Sequence, residues 1–169
     1  MNILVTGFEP FGGESTNPSM ELVKALDAQI GAAHIHTAIL PVTASGGLQA
    51  ALRAIEKIGP DAVVCVGQAG GRCAVTVERV AVNVDDFSIP DNEGQQPRNL
   101  PIVEGGPDAY LSTLPIHEMV EAMRGAGVPA AVSNSAGTYV CTHVMYGVAH
   151  YLHQHRPGAV SGFVHIPYL

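Results

Sequence analysis

The sequence predicts an α/β fold: a three-layer α/β/α sandwich around a twisted, mixed but largely parallel sheet. Three observations predict it. Short apolar runs alternate along the chain with segments of helical periodicity, the order that builds strands covered by helices. One run, Ala62–Val66, is continuously apolar, as a strand covered on both faces must be. The intervening segments carry one apolar stripe each, such as Leu48, Leu52, Ile55 and Ile58.

The elements follow in order. Ile3–Thr6 reads as a first strand, ending in the Gly- and Pro-rich loop GFEPFGGESTNPS. That loop carries Phe8 and Phe11, which mark either a binding surface or a staple onto the core. Asn17-Pro18 starts a helix, with asparagine as cap and proline at the first position. Leu22, Val23, Leu26 and Ile30 continue it. Ile35–Val42 is the next strand, and the Leu48–Ile58 helix stops at Gly59-Pro60. After Ala62–Val66 comes a glycine-rich turn, Gly67–Arg72, then a strand over Val75–Val84 that carries Glu78. Asp85–Gly106 is a long loop without periodicity, and loops of that length are usually functional or mobile. Tyr110–Leu114 is a short strand and Pro115–Arg124 a helix closed by Gly125. Ala130–Ser133, Cys141–His155 and Ala159–His165 complete the chain as strand, helix and strand. There is no internal repeat, and residues 1–169 are expected to form one catalytic domain.

Charged residues make up 14% of the chain, against roughly 25% in ordinary globular domains. Mean hydropathy is +0.22. So little charge predicts that further surface is covered by a homo-oligomer, a dimer or tetramer. The net charge of −7, without a basic patch, argues against nucleic acid. No apolar run is long enough for a membrane span, and MNILVTGF lacks the basic start of a signal peptide. Three cysteines without CxxC spacing argue against a disulfide framework or a cysteine zinc site. A reducing, cytoplasmic location is expected.

The chemistry concentrates in Ser133 to Tyr151, SNSAGTYVCTHVMYGVAHY, where a small-residue turn leads into a helix. Cys141 falls near that helix start, where free backbone N–H groups and the helix dipole favour thiolate. A free cysteine is otherwise often a small buried hydrophobe, which is how Cys65 reads. Of eight histidines, His165 closes an apolar strand, at the strand end where ligands gather in open α/β sheets. The histidines from His150 to His155 read as a solvated helix end rather than a metal site. Glu78 sits inside an apolar strand, where an unpaired carboxylate is costly. It either pairs with Arg79, faces outward, or orients a histidine as the acid of a triad does. Asp85, Asp86 and Asp91 read as a solvated loop rather than a cation site. There is no GxSxG, GxGxxG or GxxxxGK[ST] stretch. Cys141, His165 and Glu78 are therefore the expected Cys-His-Glu triad.

Six motifs carry a resemblance. GFEPFGG (Gly7–Gly13) with NPS (Asn17–Ser19), VGQAGGR (Val66–Arg72), ERVAVNVDD (Glu78–Asp86), IPDN (Ile89–Asn92), SNSAGTYVCTHVMYG (Ser133–Gly147) and HIPYL (His165–Leu169) resemble the pyrrolidone-carboxyl peptidase (pyroglutamyl-peptidase I) family of cysteine peptidases. The resemblance spans essentially the whole chain. It implies an open-sided sandwich related to nucleoside phosphorylases, and removal of N-terminal pyroglutamate from peptides without cofactor or metal. It implies Cys141 as nucleophile, His165 as base and then acid, and Glu78 as its orienter. Phe8, Phe11, Thr43, Ile89, Tyr139 and Val140 would wall the lactam ring, with Asn17 and Gln68 nearby. It also implies a cytoplasmic, often tetrameric protein.

Two departures are visible. The family commonly has arginine before IPDN, where it helps at the oxyanion; this chain has Ser88. Relatives also continue into a further helix beyond the position of Leu169. Both departures favour a competing reading, a non-catalytic relative that binds pyroglutamyl peptides. A phosphorylase-like enzyme that cradles phosphate on Gly67–Arg72 is a third.

Overall fold

The computed structural model describes residues 1–168. Its centre is a seven-stranded sheet in the order β2-β3-β1-β4-β9-β5-β8. These strands are β1 (Asn2–Phe8), β2 (Gln29–Ile30), β3 (Ala33–Leu40), β4 (Ala62–Ala69), β5 (Val75–Glu78), β8 (Ala130–Ser133) and β9 (Val160–Pro167). β3, β1, β4 and β9 run parallel to one another. β5 turns antiparallel to β9 and parallel to β8, and β2 is antiparallel to β3. The sheet is thus mixed and mostly parallel. A second, two-stranded antiparallel sheet joins β6 (Val80–Val82) to β7 (Ala109–Leu111).

Alternation along the strands sorts the core into two faces. Leu4, Val63, Cys65 and Phe163 face one side, with Ala51 and Ile55 of helix α2 (Ala44–Ile58) and Val144, Val148 and Leu152 of α4 (Val140–His155). Val5, Val66, Val77 and Val164 face the other, against Val23 of α1 (Pro18–Ala25) and Val120 of α3 (Ile116–Gly125). Two helices per face give the three layers. Parity has a consequence for chemistry. Phe163 and His165 share a face, and Glu78 lies opposite in parity to Val77. Cys65, Gly67, Thr76, Glu78 and His165 therefore all face the α2–α4 layer.

The helix ends form for the reasons the sequence suggested. Asn17 caps α1, accepting from Ser19 N at 3.0 Å, with Pro18 first in the helix. Gly59 ends α2 in the left-handed conformation, φ 61°, and its N–H bonds Ile55 O. α2 starts differently: its N-cap Thr43 makes no capping bond with its side chain. Asp91, far along the chain, supplies it by accepting from Ala44 N at 3.1 Å.

Three expectations change. The strand expected over Val75–Val84 breaks at Arg79, whose N–H donates to Ser133 O while its carbonyl accepts from Ser112 N. The chain leaves the main sheet there, so Glu78 ends a strand instead of lying inside one. β1 runs on through Phe8, which is buried and packs on Phe163 with ring centroids 6.2 Å apart. Only Phe11 of the two aromatics sits in the loop. The long segment after Asp85 is strapped down. Asp85 and Leu100 exchange backbone bonds, Phe87 N bonds Pro97 O, and Phe87 is fully buried. Asp85 and Asp91 are buried rather than solvated.

Candidate active site

α4 begins where the loop from β8 runs out of residues that accept helical geometry. Gly137 takes φ 80°, and Tyr139 is extended as the N-cap. Thr142 donates its hydroxyl back to Gly137 O at 2.6 Å. Thr142 N and His143 N both bond Tyr139 O. Val140 and Cys141 are the first two helical residues, so their N–H groups belong to the unpaired set of a helix start. The Cys141 sulfur lies over β4. A Cβ placed on Gly67 would sit 3.1 Å from it and 2.8 Å from the Phe163 ring. Glycine at 67 is what lets the thiol reach the sheet.

The sheet supplies the other two groups. Gly67 and His165 are register partners across β4 and β9, and Thr76 is His165's partner on β5. His165 is buried, and its Nδ1 lies 2.8 Å from Glu78 Oε1. Glu78 is fully buried. The alternative Arg79 pairing does not form: Arg79 Nε donates to Asn134 Oδ1 at 2.8 Å. Arg72 takes that place, with Nη1 donating to the same Oε1 at 2.6 Å and also to Thr76 Oγ1. Burial pushes the Glu78 carboxyl up, but hydrogen bonds from His165, Ser133 and Arg72 and the His165 charge outweigh it. The net effect holds it below its ordinary value.

The thiol behaves otherwise than expected from the helix start alone. Burial pushes Cys141 up to about 12, helped by Cys65 and Glu78; Arg72 and the residue's own N–H oppose this without prevailing. The raised value favours the neutral thiol in the resting protein. A single helix end contributes about 0.3–1 kcal/mol, too little against desolvation of a buried anion. Cys65 is core, as expected, and burial pushes it up to about 11.

Two adjoining cavities meet at Cys141. The smaller is lined by Phe8, Phe11, Asn17, Val42, Gln68, Tyr139, Val140 and Cys141. The larger, about 640 Å³, is open and holds Arg72, Ser88, Ile89, Gly137 and His165, sharing Phe11, Gln68, Tyr139 and Cys141 with the first. All the expected site residues except Thr43 and Glu78 line one or the other, and Glu78 lies fully buried behind His165. Thr43 is buried, and its neighbour Val42 takes the wall position. Asn17 is spent on structure: Oδ1 accepts from Ser19, and Nδ2 donates to Glu9 O at 2.9 Å. Gln68 Oε1 is buried without a hydrogen-bond partner among the described residues. Ile89 is half exposed at the larger cavity's rim.

Sequence reading missed the partners of this site more than its members. His143, two residues past Cys141, places Nδ1 2.8 Å from Asp85 Oδ2 and so ties α4 to the long loop. Tyr139 Oη donates to Pro90 O, and Thr138 Oγ1 to Asp86 O, on the same loop. His150 bonds Tyr110 at 2.9 Å. Among the described residues no cluster of three or more His, Cys, Asp or Glu is placed to hold a metal. No helix there is long and apolar enough to cross a membrane.

The chain is similar to known proteins in sequence and in fold. A family model described as pyroglutamyl peptidase matches residues 1–169. Pyrrolidone-carboxylate peptidase 1 of Caldanaerobacter subterraneus subsp. tengcongensis is 52% identical over all of this chain and 83% of its own length. A pyrrolidone-carboxylate peptidase of Alkaliphilus oremlandii is 53% identical, over all of this chain and 79% of its own. Crystalline pyroglutamyl peptidase I from Bacillus amyloliquefaciens superposes with a TM-score of 0.96 at 48% identity, covering 99% of this chain and 82% of that one. Pyrrolidone carboxyl peptidase from Pyrococcus furiosus does so with a TM-score of 0.97 at 45% identity, covering 100% and 82%.

Proposed function

The chain belongs to the pyroglutamyl peptidase family of cysteine peptidases, and we propose that it removes N-terminal pyroglutamate from peptides through Cys141, His165 and Glu78. The observation that carries the mechanism is the 2.8 Å bond from His165 to a fully buried Glu78, on the wall of the cavity that Cys141 also lines. That bond takes the Nδ1 proton and leaves Nε2 with the lone pair.

The lactam ring enters the smaller cavity, between Phe8, Phe11, Val42, Tyr139 and Val140. Gln68 Oε1, buried and unpartnered, is a ready acceptor for the ring N–H. A proline ring fills the same walls but lacks the oxo group, and polar matching rejects it more strongly than apolar contact does. The peptide beyond the scissile bond lies in the larger, open cavity.

His165 Nε2 takes the Cys141 proton as the sulfur attacks the pyroglutamyl carbonyl. This concerted removal is what a neutral resting thiol requires. Backbone N–H groups of Val140 and Cys141 receive the oxyanion. Nε2–H then protonates the leaving amine, giving a thioester. Water, deprotonated by Nε2, attacks the thioester and releases pyroglutamate, and the sulfur regains its proton. Ser88 offers no cation to the oxyanion, so the main-chain donors carry that load. Arg72 does not replace it, because its guanidinium is engaged with Glu78, Thr76 and Ser135. The same engagement counts against the phosphate-cradle reading. Homo-oligomerisation and a cytoplasmic location remain part of the proposal on composition.

The test is turnover of a pyroglutamyl amide and of the matching prolyl amide, with and without iodoacetamide. Thiol-sensitive turnover of the first alone supports the reading. Equal rates on both, or turnover indifferent to alkylation, refute it.

A further inference from the structure

We propose that Arg72 is a positioning residue for this reaction: it keeps Glu78 ionised while His165 is neutral, and it ties the nucleophile's loop to that carboxylate. The inference takes the reaction from the reading above but rests on separate contacts.

The groups facing Glu78 come from every element around it. Arg72 comes from the turn after β4, Thr76 from β5 itself, Ser133 from β8, His165 from β9 and Cys141 from α4. His165 must be neutral to accept a proton from Cys141. During that interval a fully buried carboxylate needs another cation, since an isolated charge is costly there. Arg72 is the permanently charged member of the group, 2.6 Å away. Its bond and that of His165 converge on Oε1, while Oε2 is buried with no partner among the described residues. The guanidinium is thus the cation that shares Oε1 with the imidazole, beside the Thr76 hydroxyl at 3.4 Å.

The second arm of the fork reaches the loop. Arg72 Nη2 donates to Ser135 O at 3.2 Å. Ser135 leads through Gly137 and Tyr139 into Cys141. One side chain therefore spans the acid on β5 and the approach to the nucleophile on α4. Lysine keeps the charge but loses the fork; methionine loses both and keeps the bulk.

Removing the charge lets the Glu78 carboxyl hold its proton to higher pH, because the guanidinium that helps to hold it below its ordinary value is gone. The acid limb of kcat/KM for a pyroglutamyl amide should move up by about one to three pH units in Arg72→Met, as expected for loss of a charge at this range. Arg72→Lys should restore most of the profile while keeping a lower kcat, from the lost Ser135 contact. Arg72→Gln replaces Arg72→Met if the latter does not fold. The Glu78 carboxyl titration, followed by carbon NMR and assigned with Glu78→Gln, should move upward in parallel. A uniform loss of activity with an unmoved acid limb and an unmoved carboxyl titration would overturn the proposal. If the wild-type protein turns over no pyroglutamyl amide, the proposed function fails, and the carboxyl titration alone decides for or against Arg72.

Discussion

The two halves of the site are built by different means. His165 and Glu78 stand on β9 and β5, inside a hydrogen-bonded sheet whose register brings them to one face. Cys141 stands on a helix start, beside a cavity walled largely by loop residues such as Phe11, Val42 and Tyr139, held by side chains reaching backbone from far along the chain. Thr138 to Asp86, Tyr139 to Pro90, and Asp91 to Ala44 are such ties. The sheet half is placed by a pattern that repeats every second residue. The loop half is placed by single contacts, each of which can be removed alone. The chemistry should therefore fail abruptly when the sheet half is altered, and recognition should degrade in steps when the loop half is.

The largest expected effect tests the sheet half. His165→Ala should lower kcat/KM on a pyroglutamyl amide by at least about 10³-fold, because members of a catalytic unit are lost together. A reduction under tenfold would mean that the thiol is deprotonated some other way.

The next prediction concerns how far the loop half activates the sulfur unaided. With its thiol pushed up to about 12, Cys141 in the resting protein should react with iodoacetamide about tenfold faster per pH unit through the neutral range. The sign follows from the raised value: the thiolate fraction grows with pH everywhere below it. A plateau near neutral pH would mean that the helix start ionises the sulfur after all.

Asp91→Ala probes a loop tie. It removes the acceptor for Ala44 N and for Glu93 N and Gln95 N, and with it the only side-chain cap found at the start of α2 among the described residues. The cost should be about 2 kcal/mol in denaturant unfolding, that of a lost cap with its charge-assisted bonds. A change below about 0.5 kcal/mol would show that the loop is held elsewhere.

Tyr139→Phe should have the smallest effect. It deletes the 3.1 Å bond to Pro90 O while keeping the ring against Phe11 and Phe87. KM should rise a few-fold with kcat little changed, as for a net hydrogen bond of about 1 kcal/mol. A kcat falling as far as KM rises would place the hydroxyl in the chemistry.

The same division explains what was legible in the sequence. Strand alternation showed the layers, and the small-residue turn before Val140 showed the helix that carries Cys141. The His165 position at a strand end was equally readable. Glu78's second partner was not: Arg79 was the one cation weighed for it, yet the fold turns Arg79 to Asn134 and brings Arg72 in beside His165. The break between β5 and β6 depends on Ser133 and Ser112, which no local pattern links to Arg79. Asp91 looked like a solvated loop residue because its target, Ala44, lies 47 positions away. The thiol's ionisation was misjudged for a related reason. The helix dipole is a local property that sequence shows, whereas the burial that outweighs it comes from β4 and Phe163 meeting the sulfur in space. Val42 lines the ring cavity where Thr43 was expected, a one-residue shift set by where β3 gives way to α2.

The central claim is that one sulfur, served by one imidazole and one carboxylate, hydrolyses a pyroglutamyl bond. The most direct measurement is release of amine from a pyroglutamyl amide by the purified wild-type protein beside Cys141→Ala, at matched folded concentration. The account predicts turnover by the wild type and none above background by the variant. A variant as fast as the wild type would contradict it.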